Sequence, residues 1–157
     1  MKELVKLLSL KNETISSMES CTGGAFAFYL TNEFGSSEVF SFGAVTYANN
    51  TKIKMGVDSN IINEFTVYSK EVARDMAKKI TSFSASSYGI GITGRLNVVD
   101  KNNIGGNNSK VFMAIYDVKN DIYLDLEYDA KPISRYENKK EVINIVVSSL
   151  IQYIKNN

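Results

Sequence analysis

Apolar positions along the chain recur at two spacings, and the switches between them divide the sequence into elements. Leu4, Leu7 and Leu8 sit at helical spacing and predict a short helix over residues 2–10, after which residues 14–19 read as a strand. The run "GGAFAFYLTNEFG" predicts a helix starting near Thr22 and ending near Gly35. "FSFGAVTYA", residues 40–48, has the β-branched and aromatic content of a strand. A polar turn at Asn49 and Asn50 leads to a short helix over 52–56 and another after Asp58. Ser69 then caps a helix whose apolar face is Val72, Ala73, Met76, Ala77 and Ile80, with Glu71 in the positive first turn. "YGIGIT", residues 88–93, reads as a buried strand whose glycines admit a neighbouring backbone. An Asn- and Gly-rich loop over 98–110 follows it. "KVFMAIYD" and "DIYLDLEYD" predict an antiparallel hairpin, and residues 136–155 a last helix that buries Val142, Ile145, Val146, Ser149, Leu150 and Tyr153. The sum is an α/β domain with a mixed sheet and helices on both faces.

Length and charge narrow this picture without changing it. A chain of 157 residues fits one domain, 1–157, that needs no disulfide or metal for stability, and Pro132 is its one proline. The net charge of +1 gives no global field toward nucleic acid or an acidic membrane. The N-terminal "MKELVKLLSLKNET" is too charged for a signal peptide and no run reaches the roughly 20 apolar residues of a spanning helix, so the expectation is a cytoplasmic protein with no membrane partner. Cys21 is the single cysteine and histidine is absent, which excludes Cys/His metal sites and imidazole catalysis; any acid–base chemistry falls to Lys, Tyr, Asp or Glu.

The chemistry-bearing residues gather in "MESCTGG", residues 18–24. Its plainest reading is a helix cap by Ser20 or Thr22, with glycines for the turn. A phosphate cradle uses the same geometry, although no P-loop or dinucleotide glycine pattern is present. A nucleophilic Ser20 needs a base, and without histidine that base is a lysine whose pKa is brought down from roughly 10.4 by burial or a nearby cation. "VTYANNTK", residues 45–52, offers one: if the two strands are parallel neighbours, their carboxyl ends bring Ser20, Tyr47 and Lys52 to one sheet edge. The alternative leaves Tyr47 a strand aromatic and Lys52 a solvated turn residue. Cys21 competes with Ser20 as nucleophile or is a small buried hydrophobe. Glu19 could cap the helix, pair with Lys52 or hold a substrate hydroxyl.

"ESCTGG", "GSSEVF", "GAVTYANNTK", "GV" at Gly56 and Val57, and "VYSKEVARDMA" resemble, in order and spacing, the CinA carboxy-terminal domain family, also called PncC, the nicotinamide mononucleotide amidohydrolases. "SRYENKKEV" is similar to the family's late helix start, with Arg135 on its Arg and Lys139 on a second basic position. The resemblance implies a three-layer α/β/α sandwich with a mixed, mostly parallel sheet. It also implies hydrolysis of the nicotinamide carboxamide in pyridine nucleotide salvage, without metal or cofactor. Carried over by position, Ser20 is the nucleophile, Lys52 the base and Tyr47 a helper; Glu19, Thr22, Gly23, Gly24, Thr93, Gly94 and Arg135 bind substrate. The Thr22 and Gly23 amides are candidates for an oxyanion hole. The expected partner is a small-molecule nucleotide, with no direct nucleic acid, and a homodimer is allowed because family members are commonly dimers.

The chain departs from the family after Gly94. Arg95, Leu96 and Asn97 replace small residues and glycine, no proline follows, Gly105 and Gly106 offer a displaced version of the loop, and Ala48 replaces a common Ser. Bulky side chains there would fill space that a substrate needs. The departure supports a second expectation, a catalytically impaired nucleotide-binding or protein-interaction module.

Overall fold

A computed structural model describes residues 1–97 and 109–157. The chain runs through α1 (Lys2–Lys11), β1 (Ile15–Glu19), α2 (Ala25–Thr31), α3 (Ser36–Val39), β2 (Phe40–Val45), α4 (Asn49–Lys54), α5 (Ser59–Phe65), α6 (Lys70–Ser84), β3 (Tyr88–Gly94), β4 (Lys110–Asp117), β5 (Ile122–Asp129) and α7 (Arg135–Asn156). One sheet has the order β2-β1-β3-β4-β5. Its core, β2, β1 and β3, is parallel, and β4 and β5 join as antiparallel strands. Most of the 98–110 loop, with Gly105 and Gly106, lies outside the described residues.

Side-chain alternation along the buried strands divides the interior in two. Ile15, Ile90 and Ile92 face Leu4, Leu8, Phe26, Leu30, Val142, Val146 and Leu150 from α1, α2 and α7. Met18 faces Val72, Met76 and Ile80 of α6 on the other side. Helices therefore cover both faces, and the fold is α/β. The α6 side is drawn very close at β3: a Cβ on Gly91 would lie 2.0 Å from the Ala73 carbonyl oxygen, and one on Gly89 would lie 2.2 Å from that of Ala77. The "GIG" of β3 and the two alanines of α6 are thus one contact, seen from its two sides.

The short helix expected over 52–56 after a polar turn at Asn49 and Asn50 instead begins at Asn49 and ends at Lys54, the strand expected over 40–48 ends at Val45, and two further elements differ from the sequence expectation. The helix expected to run from Thr22 to Gly35 starts at Ala25, ends at Thr31 and gives way to the separate α3, whose N-cap Gly35 adopts φ +83°. In α7 the fully buried stripe is Val142, Ile143, Val146, Val147, Leu150 and Ile154, whereas Ile145, Ser149 and Tyr153 are half-buried. The rotation is set at the helix start. Asn138 is 1% exposed; its Oδ1 accepts from Tyr128 Oη at 2.7 Å and from the Lys131 amide at 2.9 Å. Satisfying that buried amide aligns every fourth residue after 138 with the core. A Ser134–Glu137 capping box closes the first turn.

The Gly91 contact generates a prediction. Gly91→Ala forces backbone apart on both α6 and β3, so the variant is expected to lose about 3 kcal/mol or more of stability in urea unfolding; an unchanged midpoint would show that α6 can retreat without cost.

Candidate active site

The carboxyl ends of β1, β2 and β3 form the site edge. Ser20 N donates to Ile92 O at 3.0 Å and Thr46 N to Glu19 O at 2.8 Å, which extends the parallel ladders one step past the strand ends. Met18 pairs with Ala44 on one side and Gly91 on the other. Two residues on, the same register sets Thr46, Ser20 and Thr93 in a row, on the α6 side of the sheet by alternation. All three are buried, at 2%, 6% and 0% exposure. Thr93 donates its hydroxyl to Val67 O at 2.7 Å.

Lys52 completes the row. The chain leaves β2, turns at Ala48 and enters α4, a six-residue helix that returns the Lys52 side chain to the strand ends. Its Nζ donates to Ser20 Oγ at 3.1 Å and to the Thr46 carbonyl at 2.8 Å, and the residue is 1% exposed. The alternative of a solvated turn lysine is thereby overturned.

The turn after Ser20 is held by Glu19. Its carboxylate, on a residue 1% exposed, accepts from Thr22 Oγ1 at 2.7 Å, from the Phe26 and Ala27 amides at 3.1 Å each, and from Ser17 Oγ at 3.4 Å. Glu19 is the cap of α2, and Thr22 supports it by donating its hydroxyl. Of the roles open to Glu19 the structure shows the cap, which replaces the cap expected from Ser20 or Thr22: a carboxylate seven and eight residues upstream supplies the acceptor from the strand. Gly23 and Gly24 take φ +65° and +90° to let the chain double back, and Gly23 N closes the turn on Ser20 O at 2.9 Å. Among the described residues, the Thr22 and Gly24 amides donate to no protein acceptor. A Cβ on Gly23 would lie 3.2 Å from Lys139 Nζ, so the α7 ammonium stands directly over the turn.

The remaining candidates separate. Cys21 is 3% exposed in the α1/α7-side core, and burial pushes its thiol up to about 12, against the lowering by Arg135 and Lys52. Alternation thus sends Ser20 to Lys52 and Cys21 to the core. Tyr47 is 65% exposed, and its hydroxyl accepts from Arg135 Nη2 at 3.3 Å; no bond joins it to Ser20 or Lys52. Arg135 also donates to Leu96 O at 3.5 Å. Gly94 lies in the β3–β4 pairing, where a Cβ would come within 2.5 Å of Val111 Cα. The three bulky residues after it are accommodated separately. Arg95 is buried with its guanidinium 4.3 Å from the Tyr68 ring centre, Leu96 joins the α1/α7-side core, and Asn97 Nδ2 donates to Lys131 O at 2.6 Å. Thr46 is the site residue that the sequence reasoning left out; its place two residues after Ala44 on a strand that pairs with β1 was the available signal. Among the described residues, no three His, Cys, Asp or Glu side chains gather as a metal ion would require, and no helix is long and apolar enough to cross a membrane.

Comparison with known proteins agrees with this architecture. The sequence model described as CinA C-terminal domain matches residues 1–123. A competence-damage inducible protein of Clostridium botulinum (strain Langeland) is 33% identical over 155 residues, covering 98% of this chain and 36% of the relative. One from Clostridium perfringens (strain SM101) is 49% identical over 90 residues, or 57% of this chain and 22% of the relative. The chain thus spans about a third or less of the length of these relatives. Among solved structures, the competence/damage inducible protein CihA from Agrobacterium tumefaciens superposes with a TM-score of 0.82 at 27% identity, covering 96% of this chain and 94% of that one. A CinA-superfamily protein from Klebsiella pneumoniae reaches 0.89 at 15% identity, covering 99% and 96%, and shares the fold. From the domain model that matches residues 1–123, this chain belongs to the CinA C-terminal domain family.

Proposed function

We propose that the chain hydrolyses the carboxamide of nicotinamide mononucleotide to nicotinic acid mononucleotide and ammonia, with Ser20 as nucleophile and Lys52 as general base. The observation that supports it is the 3.1 Å contact between Lys52 Nζ and Ser20 Oγ, made with both residues out of water. A serine hydroxyl is inert at neutral pH unless a positioned base takes its proton, and this chain has no histidine for the task.

In this reading neutral Lys52 accepts the Ser20 proton as Oγ bonds to the carboxamide carbon and the carbonyl oxygen becomes an alkoxide. The Thr22 and Gly24 amides are the donors for that oxygen. The C–N bond then breaks, and the nitrogen leaves as ammonia with the proton from Lys52. Water repeats the path: Lys52 takes its proton as the water oxygen bonds to the ester carbon, the bond to Oγ breaks as Lys52 returns that proton to Oγ, and the acid leaves and ionises to the carboxylate. Arg135 and Lys139, beside the turn, are the cations for the nucleotide phosphate. Tyr47 acts through Arg135, whose guanidinium it receives. Glu19 is a positioning residue with its oxygens committed to the α2 cap, and Thr93 ties β3 to the Val67 carbonyl.

A second reading, a nucleotide-binding module without turnover, is favoured by Arg95, which is buried two residues past Thr93 on the same face as Ser20. Ammonia release separates the two. The unaltered protein is expected to release ammonia from nicotinamide mononucleotide, and Ser20→Ala and Lys52→Met are each expected to lower kcat/KM by at least about a thousandfold. Equal release by all three would remove Ser20 catalysis.

The choice of Ser20 over Cys21 gives a separate outcome. With its thiol raised to about 12 by burial, Cys21 is expected to resist iodoacetamide at pH 7.5 in the native protein and to react only after unfolding, while Cys21→Ala keeps turnover. Rapid native labelling with loss of activity would reverse the assignment.

A further inference from the structure

The hydroxyl oxygen of Thr46 is buried and has no hydrogen-bond partner. Such a group costs stability, and native proteins keep one chiefly where a task explains it. Its surroundings supply the task. Ser20 stands beside Thr46 at the spacing of neighbouring strands, about 4.8 Å, and the Thr46 carbonyl shares the Lys52 amine with Ser20 Oγ. Of the three hydroxyls in that row, Ser20 receives Lys52 and Thr93 is given to Val67. Thr46 keeps an oxygen to offer. Thr46, Ser20 and Lys52 are 2%, 6% and 1% exposed and joined through the Lys52 amine, so a ligand that reaches Ser20 Oγ comes up against Thr46.

We propose that Thr46 recognises the amide nitrogen of the substrate: its Oγ1 accepts an N–H from the carboxamide while Ser20 Oγ meets the carbonyl carbon. This rests on the hydrolase reading above. A primary carboxamide presents one acceptor and two N–H donors, and both kinds need partners in a site closed to water. The Thr22 and Gly24 amides are donors, suited to the carbonyl oxygen and the developing alkoxide. Thr46 Oγ1 is the acceptor the N–H requires. The arrangement selects a primary amide over an ester of the same acid, because the ester has no N–H and leaves Thr46 unpaired.

The test compares hydrolysis of nicotinamide mononucleotide with that of the methyl ester of nicotinic acid mononucleotide by the unaltered protein, Thr46→Val and Thr46→Ser, alongside melting temperature. Thr46→Val is expected to lower kcat/KM for the amide, relative to the ester, by at least about tenfold. Its melting temperature should stay level or rise, since an unmet hydroxyl has been replaced by a methyl group of the same shape. Thr46→Ser should restore the amide preference. The proposal is overturned if amide and ester rates fall together, if neither changes, or if the melting temperature falls with them. Should the unaltered protein hydrolyse neither compound, the hydrolase reading fails by itself. Calorimetry on Ser20→Ala then decides on Thr46: adding Thr46→Val must weaken binding of the carboxamide nucleotide more than that of the carboxylate nucleotide, and an equal effect or no binding overturns the proposal.

Discussion

A carboxylate can stay in a protein interior only when hydrogen bonds replace the water it has lost, and at the end of β1 that condition shapes everything around it. Glu19 meets it by gathering the Thr22 hydroxyl and the Phe26 and Ala27 amides onto its two oxygens. Because those amides belong to the first turn of α2, the strand end and the helix start are held together, and the chain between them has to reverse within Ser20–Gly24. Glycines at positive φ make the reversal. Strand alternation carried into this turn places Ser20 on the α6 side and Cys21 in the opposite core, so of the two adjacent candidate nucleophiles only Ser20 meets Lys52.

The second constraint is the close approach of α6 to β3. Ala73 and Ala77 lie over Gly91 and Gly89 with no room for another side chain. That contact fixes α6 over the parallel core, and Met18, Val72, Met76 and Ile80 fill the space beside it. The Ser20 row is the continuation of this face beyond the strand ends. Core packing and site geometry are therefore consecutive positions on the same three strands, and the row keeps their register through the Ser20–Ile92 and Thr46–Glu19 backbone bonds, with Lys52 and Val67 as the partners of its hydroxyls and carbonyl.

Most elements were legible because their signals are local. The Ser69 cap and the five apolar positions after it read directly as α6, and the hairpin of β4 and β5 follows from an apolar run and an alternating run on either side of a polar turn. The α7 stripe was misplaced because its apolar residues nearly encircle the helix, so spacing admits more than one face. The choice between faces belongs to Asn138, whose partners come from β5 and from Lys131. The start of α2 was misplaced for a related reason: its cap acceptor lies on a strand, outside the window in which caps are read.

The site divides along the same line. By itself the sequence determined that catalysis, if present, is carried out without imidazole, that Ser20 and Lys52 follow strands able to lie side by side, and which family the chain resembles, because residue type and strand spacing are local properties. Only the tertiary structure decided that Lys52 is buried against Ser20, that Tyr47 turns outward to Arg135, that Glu19 is committed to a cap and that Thr46 is left with an unpartnered oxygen. Each of those outcomes depends on which groups compete for the same hydrogen-bonding atoms in three dimensions, and burial sets the stakes of that competition.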